Sequence, residues 1–155
     1  MPSYIPEGWS TMSPYLVMKN AATALEFYVD ILGAEILSRL DMPGGGVGHA
    51  ELRIGGSVFS LADEFPDMGY LSPESIGGTP VSFMLYVEDC DTVFARALAA
   101  GATELRPVAN QFYGDRSGTL RDPFGHVWSI STHIEDVSPE EMDRRFLESM
   151  GGTTQ

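Results

Sequence analysis

The feature that most restricts the fold of this chain is that it repeats itself. A short strand-like run, a helix with a cap and a stop, and three further strand candidates follow one another in that order twice. In the first half the strands fall at residues 14–18, 35–40, 49–54 and 57–62, in the second at 81–87, 104–108, 117–121 and 126–132. Asn20 is placed to cap the first helix, whose Ala21, Ala24, Leu25, Tyr28 and Ile31 share one face before Gly33 stops it. Asp89 is placed to cap the second, with Cys90, Val93, Phe94, Ala97 and Leu98 on one face and Gly101 as the stop. At an offset of 69, Ser13 meets Ser82, Asn20 meets Asp89, and the run Val58-Phe-Ser-Leu61 meets Val127-Trp-Ser-Ile130. At 68, Gly33-Ala34 meets Gly101-Ala102 and Leu52-Arg53 meets Leu120-Arg121; the one-residue slip falls in loops, which tolerate it.

A duplication of this kind predicts an α+β fold: two βαβββ modules building a concave mixed sheet with helices on its outer face, plus a C-terminal helix. The organisation expected is a single domain over residues 1–155, with module 1 at about 12–64, a loop at 63–79, module 2 at about 80–134 and the last helix at about 138–150. The 17-residue link is rich in Pro, Gly and Ser and is long for an idle connection, which suits a cover over a site or interface. Ser138-Pro139-Glu140-Glu141 has the form of a capping box, and Met142, Phe146 and Met150 form an apolar stripe that predicts docking on the body or on a partner subunit. Residues 151–155 are expected to fray.

Charge narrows the partners. Twenty-two acids oppose nine bases, a formal net of −13, spread as −7 and −6 over the two halves, with Lys19 as the single lysine. Phosphate backbones and anionic membranes repel such a surface, so no nucleic acid and no membrane partner is expected. The acidity reads either as a solvated, solubilising surface or as a field that attracts cationic ligands. No apolar run is long enough to span a bilayer, and residues 1–10 lack the basic and apolar regions of a signal peptide, so a cytoplasmic location is expected. The lone Cys90 excludes an internal disulfide framework and lies on the apolar stripe of the second helix, as a small hydrophobe does.

Strand alternation separates two faces. Ala50, Leu52, Phe59, Leu61, Phe83, Leu85, Trp128 and Ile130 make one of them large and apolar, suited to packing under the helices. The opposite face carries Ser13, Tyr15, Glu51, Ser60, Ser82, Met84, Tyr86, Ser129, Ser131 and His133, smaller and more polar. That composition fits a small-molecule site, with an apolar body and a few orienting hydroxyls, and fits an ordinary solvated face equally.

The residues also carry a resemblance. Pro14-Tyr-Leu-Val, Ala24-Leu-Glu-Phe-Tyr28, Leu32-Gly33-Ala34, Gly114-Asp-Arg-Ser-Gly118 and Asp122-Pro-Phe-Gly-His126, in this order, resemble the vicinal oxygen chelate superfamily, which includes glyoxalase I, extradiol dioxygenases and the bleomycin- and fosfomycin-resistance proteins. His49-Ala-Glu-Leu52, Leu61-Ala-Asp-Glu64 and Gln111-Phe-Tyr-Gly-Asp-Arg116 are closer to its PhnB-like branch. The resemblance covers about residues 13–150 and implies two βαβββ modules and a homodimer. In the metal-dependent members it implies four ligand positions, which map here onto Ser13, Ser60, Ser82 and Ser129. Those members use His and Glu there; four neutral hydroxyls are feeble ligands for a divalent ion, so no metal and no cofactor is expected. A shifted site from His49, Glu51 and His133 is conceivable, while His126 is expected to hydrogen-bond its own hairpin. Phe112, Tyr113 and Arg116 fall where the family's loops rim the cleft, or else form edge packing and a structural Arg–Asp pair.

Three functions follow. The first is a metal-free protein that binds, and on the resemblance sequesters as bleomycin-resistance proteins do, a small cationic or aromatic compound through Ser13, Tyr15, Glu51, Ser60, Ser82, Met84, Tyr86, Phe112, Tyr113, Arg116, Ser129 and His133. The second is a glyoxalase-like lyase or isomerase, or a dioxygenase, with a non-standard metal site or Glu51 as its base; Glu51 can equally pair with Arg53 or Arg121. The third is a protein-interaction module acting through the 63–79 loop and the last helix.

Overall fold

The computed structural model describes residues 1–151; of the fraying expected at residues 151–155, all but the first position lies outside the described residues. In chain order the elements are β1 (Tyr15–Met18), α1 (Ala21–Leu32), β2 (Glu35–Asp41), β3 (Val47–Ile54), β4 (Ser57–Asp63), a 3-10 turn (Pro66–Met68), α2 (Pro73–Ile76), β5 (Ser82–Tyr86), α3 (Cys90–Ala99), β6 (Thr103–Asn110), β7 (Asp115–Arg121), β8 (Val127–His133) and α4 (Pro139–Ser149). This is βαβββ twice, with every strand within two residues of its predicted limits. The mixed sheet is present as two four-stranded sheets, β1-β4-β3-β2 and β5-β8-β7-β6. In each, the first and last strands of the module pair in parallel and the other pairs are antiparallel. The edge strand β6 carries Pro107, whose missing N–H is harmless where a ladder ends.

Two compact units result, one of residues 1–80 with 123–126, the other of residues 81–122 with 127 onward. In the first, α1 buries Ala21, Ala24, Leu25 and Tyr28 toward the apolar face of the sheet, where Ala50, Leu52 and Leu61 are fully buried. Periodicity at 3.6 meets periodicity at 2 there, and burial of each large side chain contributes about 1.5–3 kcal/mol. Phe124 completes this core edge-on to Phe27 and Tyr28. In the second unit, Cys90, Phe94 and Ala97 of α3 face Leu120, Trp128 and Ile130. Gly118 is what lets α3 approach β7, because a Cβ there would lie 2.8 Å from Phe94 and from Val108.

Three local expectations are corrected. Asn20 stands at the start of α1 in a left-handed conformation (φ 59) with no capping bond from its side chain; Asp63 supplies the acceptor instead. The link after β4 is structured: Phe65 and Tyr70 form a bridge, and the Glu64 carboxylate takes the Ser72 N–H and the Ser75 hydroxyl at the start of α2. Ser138 does cap α4 by accepting from the Glu141 N–H, but the Glu141 carboxylate binds Arg144 and Arg145 rather than closing the box. His126, 8% exposed, has its Nε2 2.9 Å from the Val17 carbonyl, 109 residues away. The α4 stripe is only partly docked: Phe146 packs on Phe112 (ring centroids 5.9 Å apart) and stays half exposed. Among the described residues, no helix is long and apolar enough to cross a membrane.

Candidate functional site

On the first unit's polar face, register places Tyr15 beside Ser60 and Ser60 beside Glu51. His49, two residues from Glu51 on β3, shares that face by alternation. The Tyr15 hydroxyl lies 2.9 Å from His49 Nδ1, and His49 Nε2 lies 3.2 Å from Glu51 Oε1. Burial, and to a lesser degree the neighbouring Tyr70, push the Tyr15 phenol above its ordinary pKa. Neither arginine weighed for Glu51 takes it: Arg53 pairs with Glu35, and the carboxylate goes to His49. Ser60 is buried at 5% exposure, and the Ser13 hydroxyl oxygen is buried without a hydrogen-bond partner.

The second unit's polar face is built from the rows Met84–Ser129–Thr119 and Tyr86–Ser131–Ser117. Ser117 and Ser131 bond each other at 2.7 Å and are sealed from solvent, so this part of the face is closed rather than open. Ser129 pairs with Thr119 at 3.2 Å, and Ser82 stands exposed at the start of β5. Beyond them lies a charged cluster. Asp115, 3% exposed, accepts the Tyr86 hydroxyl at 2.7 Å and His133 Nδ1 at 2.8 Å; His133 Nε2 meets Asp136 at 2.7 Å. Hydrogen bonds to Asp136 and then Asp115 raise the His133 pKa, and the bond to Asp115 raises that of Tyr86. Met84 and Tyr86 remain more than half exposed beside it.

The remaining predicted residues are placed less uniformly. Phe112 and Tyr113 pack edge-on at 5.3 Å, and Arg145 of α4 donates to the Phe112 carbonyl at 3.0 Å, tying that loop to the helix. Arg116 points to the helix side of β7, opposite the serines, where it grips Asp91 with two bonds of 2.7 and 2.8 Å and Asn110 with a third. That is the structural Arg–Asp pair. Cys90 is buried, its thiol toward the Arg116 carbonyl. Sequence reasoning gave no role to Asp115 or Asp136. Asp115 shares parity with Ser117 and Thr119, a signal lost because the strand was expected to begin two residues later.

The donor set does not fit a divalent ion at the four mapped positions, since serine hydroxyls offer no charge and Ser129 is already engaged by Thr119. The shifted set fares no better, because both ring nitrogens of His133 are taken by carboxylates and His49 is held between Tyr15 and Glu51. Among the described residues, no group of three or more His, Cys, Asp or Glu side chains is arranged to hold a metal.

Comparison with known proteins bears on these faces. The sequence profile of the family described as the Glyoxalase/Bleomycin resistance protein/Dioxygenase superfamily matches residues 11–130. An uncharacterized protein of Mycobacterium bovis, Mb0911c, is 43% identical over 134 residues, 84% of this chain and 88% of its own. Among solved structures, TioX from Micromonospora sp. ML1 is similar at a TM-score of 0.61 and 26% identity, covering 83% of this chain and 100% of TioX. A PhnB protein from Bacillus cereus, described as a putative 3-demethylubiquinone-9 3-methyltransferase, shares the fold at a TM-score of 0.64 and 22% identity, covering 79% and 99%.

Proposed function

The chain belongs to the Glyoxalase/Bleomycin resistance protein/Dioxygenase superfamily, and from that premise we propose that it is a small-molecule-binding protein that works without a metal. Its ligand is a partly aromatic, neutral or cationic compound, held against the polar face of the second unit's sheet and sequestered rather than converted. One observation carries this reading: the Tyr86–Asp115–His133–Asp136 cluster. A buried carboxylate is held by two donors at 2.7 and 2.8 Å, with exposed Met84 and Tyr86 surfaces beside it. Such a cluster costs little to reorganise on binding, and its two carboxylates against one imidazole favour a cation or a hydrogen-bond donor. Ser82, Ser129 and Tyr113 supply further contacts within the second unit.

The test is a thermal-shift and native mass spectrometry screen of small cationic and aromatic compounds, with metal analysis of protein purified without added metal. A compound that raises the melting temperature by mass action, and no longer does so in Ser82→Trp or Tyr86→Phe with the fold intact, is the expected result. Stoichiometric transition metal, lost in His49→Ala, overturns it. The protein is also proposed to pair as a homodimer: Phe146 and Leu147 of α4 and Met150 just after it stay 49–72% exposed in the single chain. A monomeric mass by light scattering at micromolar concentration refutes that.

A further inference from the structure

The Tyr15–His49–Glu51 chain of contacts has a chemistry that binding does not use. An ionised carboxylate is an acceptor only, so Glu51 requires a proton on His49 Nε2. In the neutral imidazole this leaves Nδ1 as an acceptor, 2.9 Å from the Tyr15 hydroxyl, which donates to it. A hydroxyl, a base within hydrogen-bond reach and a third group orienting the base are the parts by which a weak oxygen nucleophile is activated. Exposure is graded in the useful direction: Tyr15 is 53% exposed, while the His49 and Glu51 side chains are 29% and 31%. More than half of Tyr15 is open to solvent, and its base is less so. Strand register holds the three in place, with Tyr15 and Glu51 on either side of Ser60.

We propose that Tyr15 is a primed nucleophile that accepts an acyl or sulfonyl group from small activated electrophiles, with His49 as its base and Glu51 as the positioning residue. In the step, a bond forms from Tyr15 Oη to the acyl carbon or the sulfur while the hydroxyl proton passes to His49 Nδ1. The bond to the leaving group breaks, the leaving group departs with its electron pair, and His49 returns the proton to it or to water. Burial and Tyr70 keep the Tyr15 phenol protonated near neutral pH, so attack depends on the base. Tyr86 is the built-in comparator, because its hydroxyl donates to a carboxylate that His133 already holds. This activity is independent of the binding reading, and its failure leaves that reading intact.

Benzenesulfonyl fluoride on the full chain tests it. The Oη–S bond forms, the S–F bond breaks, fluoride leaves, and intact mass with peptide mapping locates the product. Tyr15 is expected to label roughly a hundredfold faster than the exposed Tyr4, the lower end of what a positioned base supplies. His49→Gln and His49→Asn should slow Tyr15 to the Tyr4 rate or below, with Tyr86 labelling unchanged as the report of an intact fold. For Glu51 the readout is spectroscopic: the Nε2–H tautomer of His49, seen in its 15N shifts, should be lost in Glu51→Ala. Labelling of Tyr15 no faster than Tyr4 in the unmodified chain overturns the proposal without reference to any variant. So does a rate indifferent to His49, or an imidazole found protonated on both nitrogens at about pH 7.5.

Discussion

Asp63, the last residue of β4, accepts the backbone N–H of Ala21 at 2.9 Å, and so closes the start of α1 from 42 positions away. Its second oxygen takes the Val47 N–H at 2.7 Å, at the start of β3. Sixty-nine residues later the arrangement recurs with a different side chain: Thr132, near the end of β8, accepts the Cys90 N–H at 3.0 Å. The duplication therefore extends to a tertiary cap at each helix, even though Asp89 caps α3 locally and Asn20 does not cap α1.

Removing this carboxylate is expected to be far more damaging than changing Asn20. Asp63→Ala strands two part-buried N–H groups and should destabilise the chain by about 2–4 kcal/mol in denaturant titration. Asp63→Asn should recover little, since its amide offers one acceptor where two are needed. Asn20→Gly should fall within about 0.5 kcal/mol of the parent, because glycine is at ease in the left-handed conformation.

Gly118→Ala is expected to lower stability by about 1–3 kcal/mol. The added methyl would meet Phe94 and Val108 side chains at 2.8 Å and the Val108 backbone nitrogen at 3.0 Å. The Val108 backbone cannot rotate away, so the edge strand β6 must shift, and Phe94 must move with α3. A lowered melting temperature with a red-shifted Trp128 emission would report it.

His133 makes stability depend on pH in a known direction. Its pKa is raised above 6.5 by Asp136 and Asp115. Its contribution is then complete below the unfolded value and is lost as pH rises through the folded one. Denaturation midpoints of the parent should decline across that window relative to His133→Gln, in which this slope is absent. Asp136→Asn should narrow the window from its alkaline side.

Glu64 acts at the other end of the scale. Hydrogen bonds from Ser72 and Ser75 hold its carboxyl down to about 2, against an ordinary 4.5. Its contribution is present above the ordinary value and is lost as pH falls toward 2. The protection factor of the Ser72 amide, its exchange rate relative to the intrinsic rate at each pH, should fall over that interval, and in Glu64→Ala it should already be low at neutral pH.

Much of the fold was legible because it is written in local periodicities. Ala21, Ala24, Leu25 and Tyr28 recur at the helical period, and Leu52, Phe59 and Leu61 alternate at the strand period. Two copies in the same order left one topology to consider. The polar face was legible for the same reason, as Tyr15, Ser60, Glu51 and Ser129 alternate against the apolar residues. Arg116 shows the limit: it was read from a motif, whereas its parity on β7 placed it with the helices and Asp91.

The sequence by itself determined two βαβββ modules, the faces of their strands and the hydroxyls that line the polar one. Those properties depend on near neighbours and on side-chain chemistry. Tertiary structure alone decided which hydroxyl meets which acceptor: Tyr15 with His49, Tyr86 with Asp115, Asp63 with Ala21, Glu64 with Ser72. A hydrogen bond requires its partners within about 3 Å along defined directions. Residues tens of positions apart satisfy that only after strand register and loop path are set, and no local pattern encodes it.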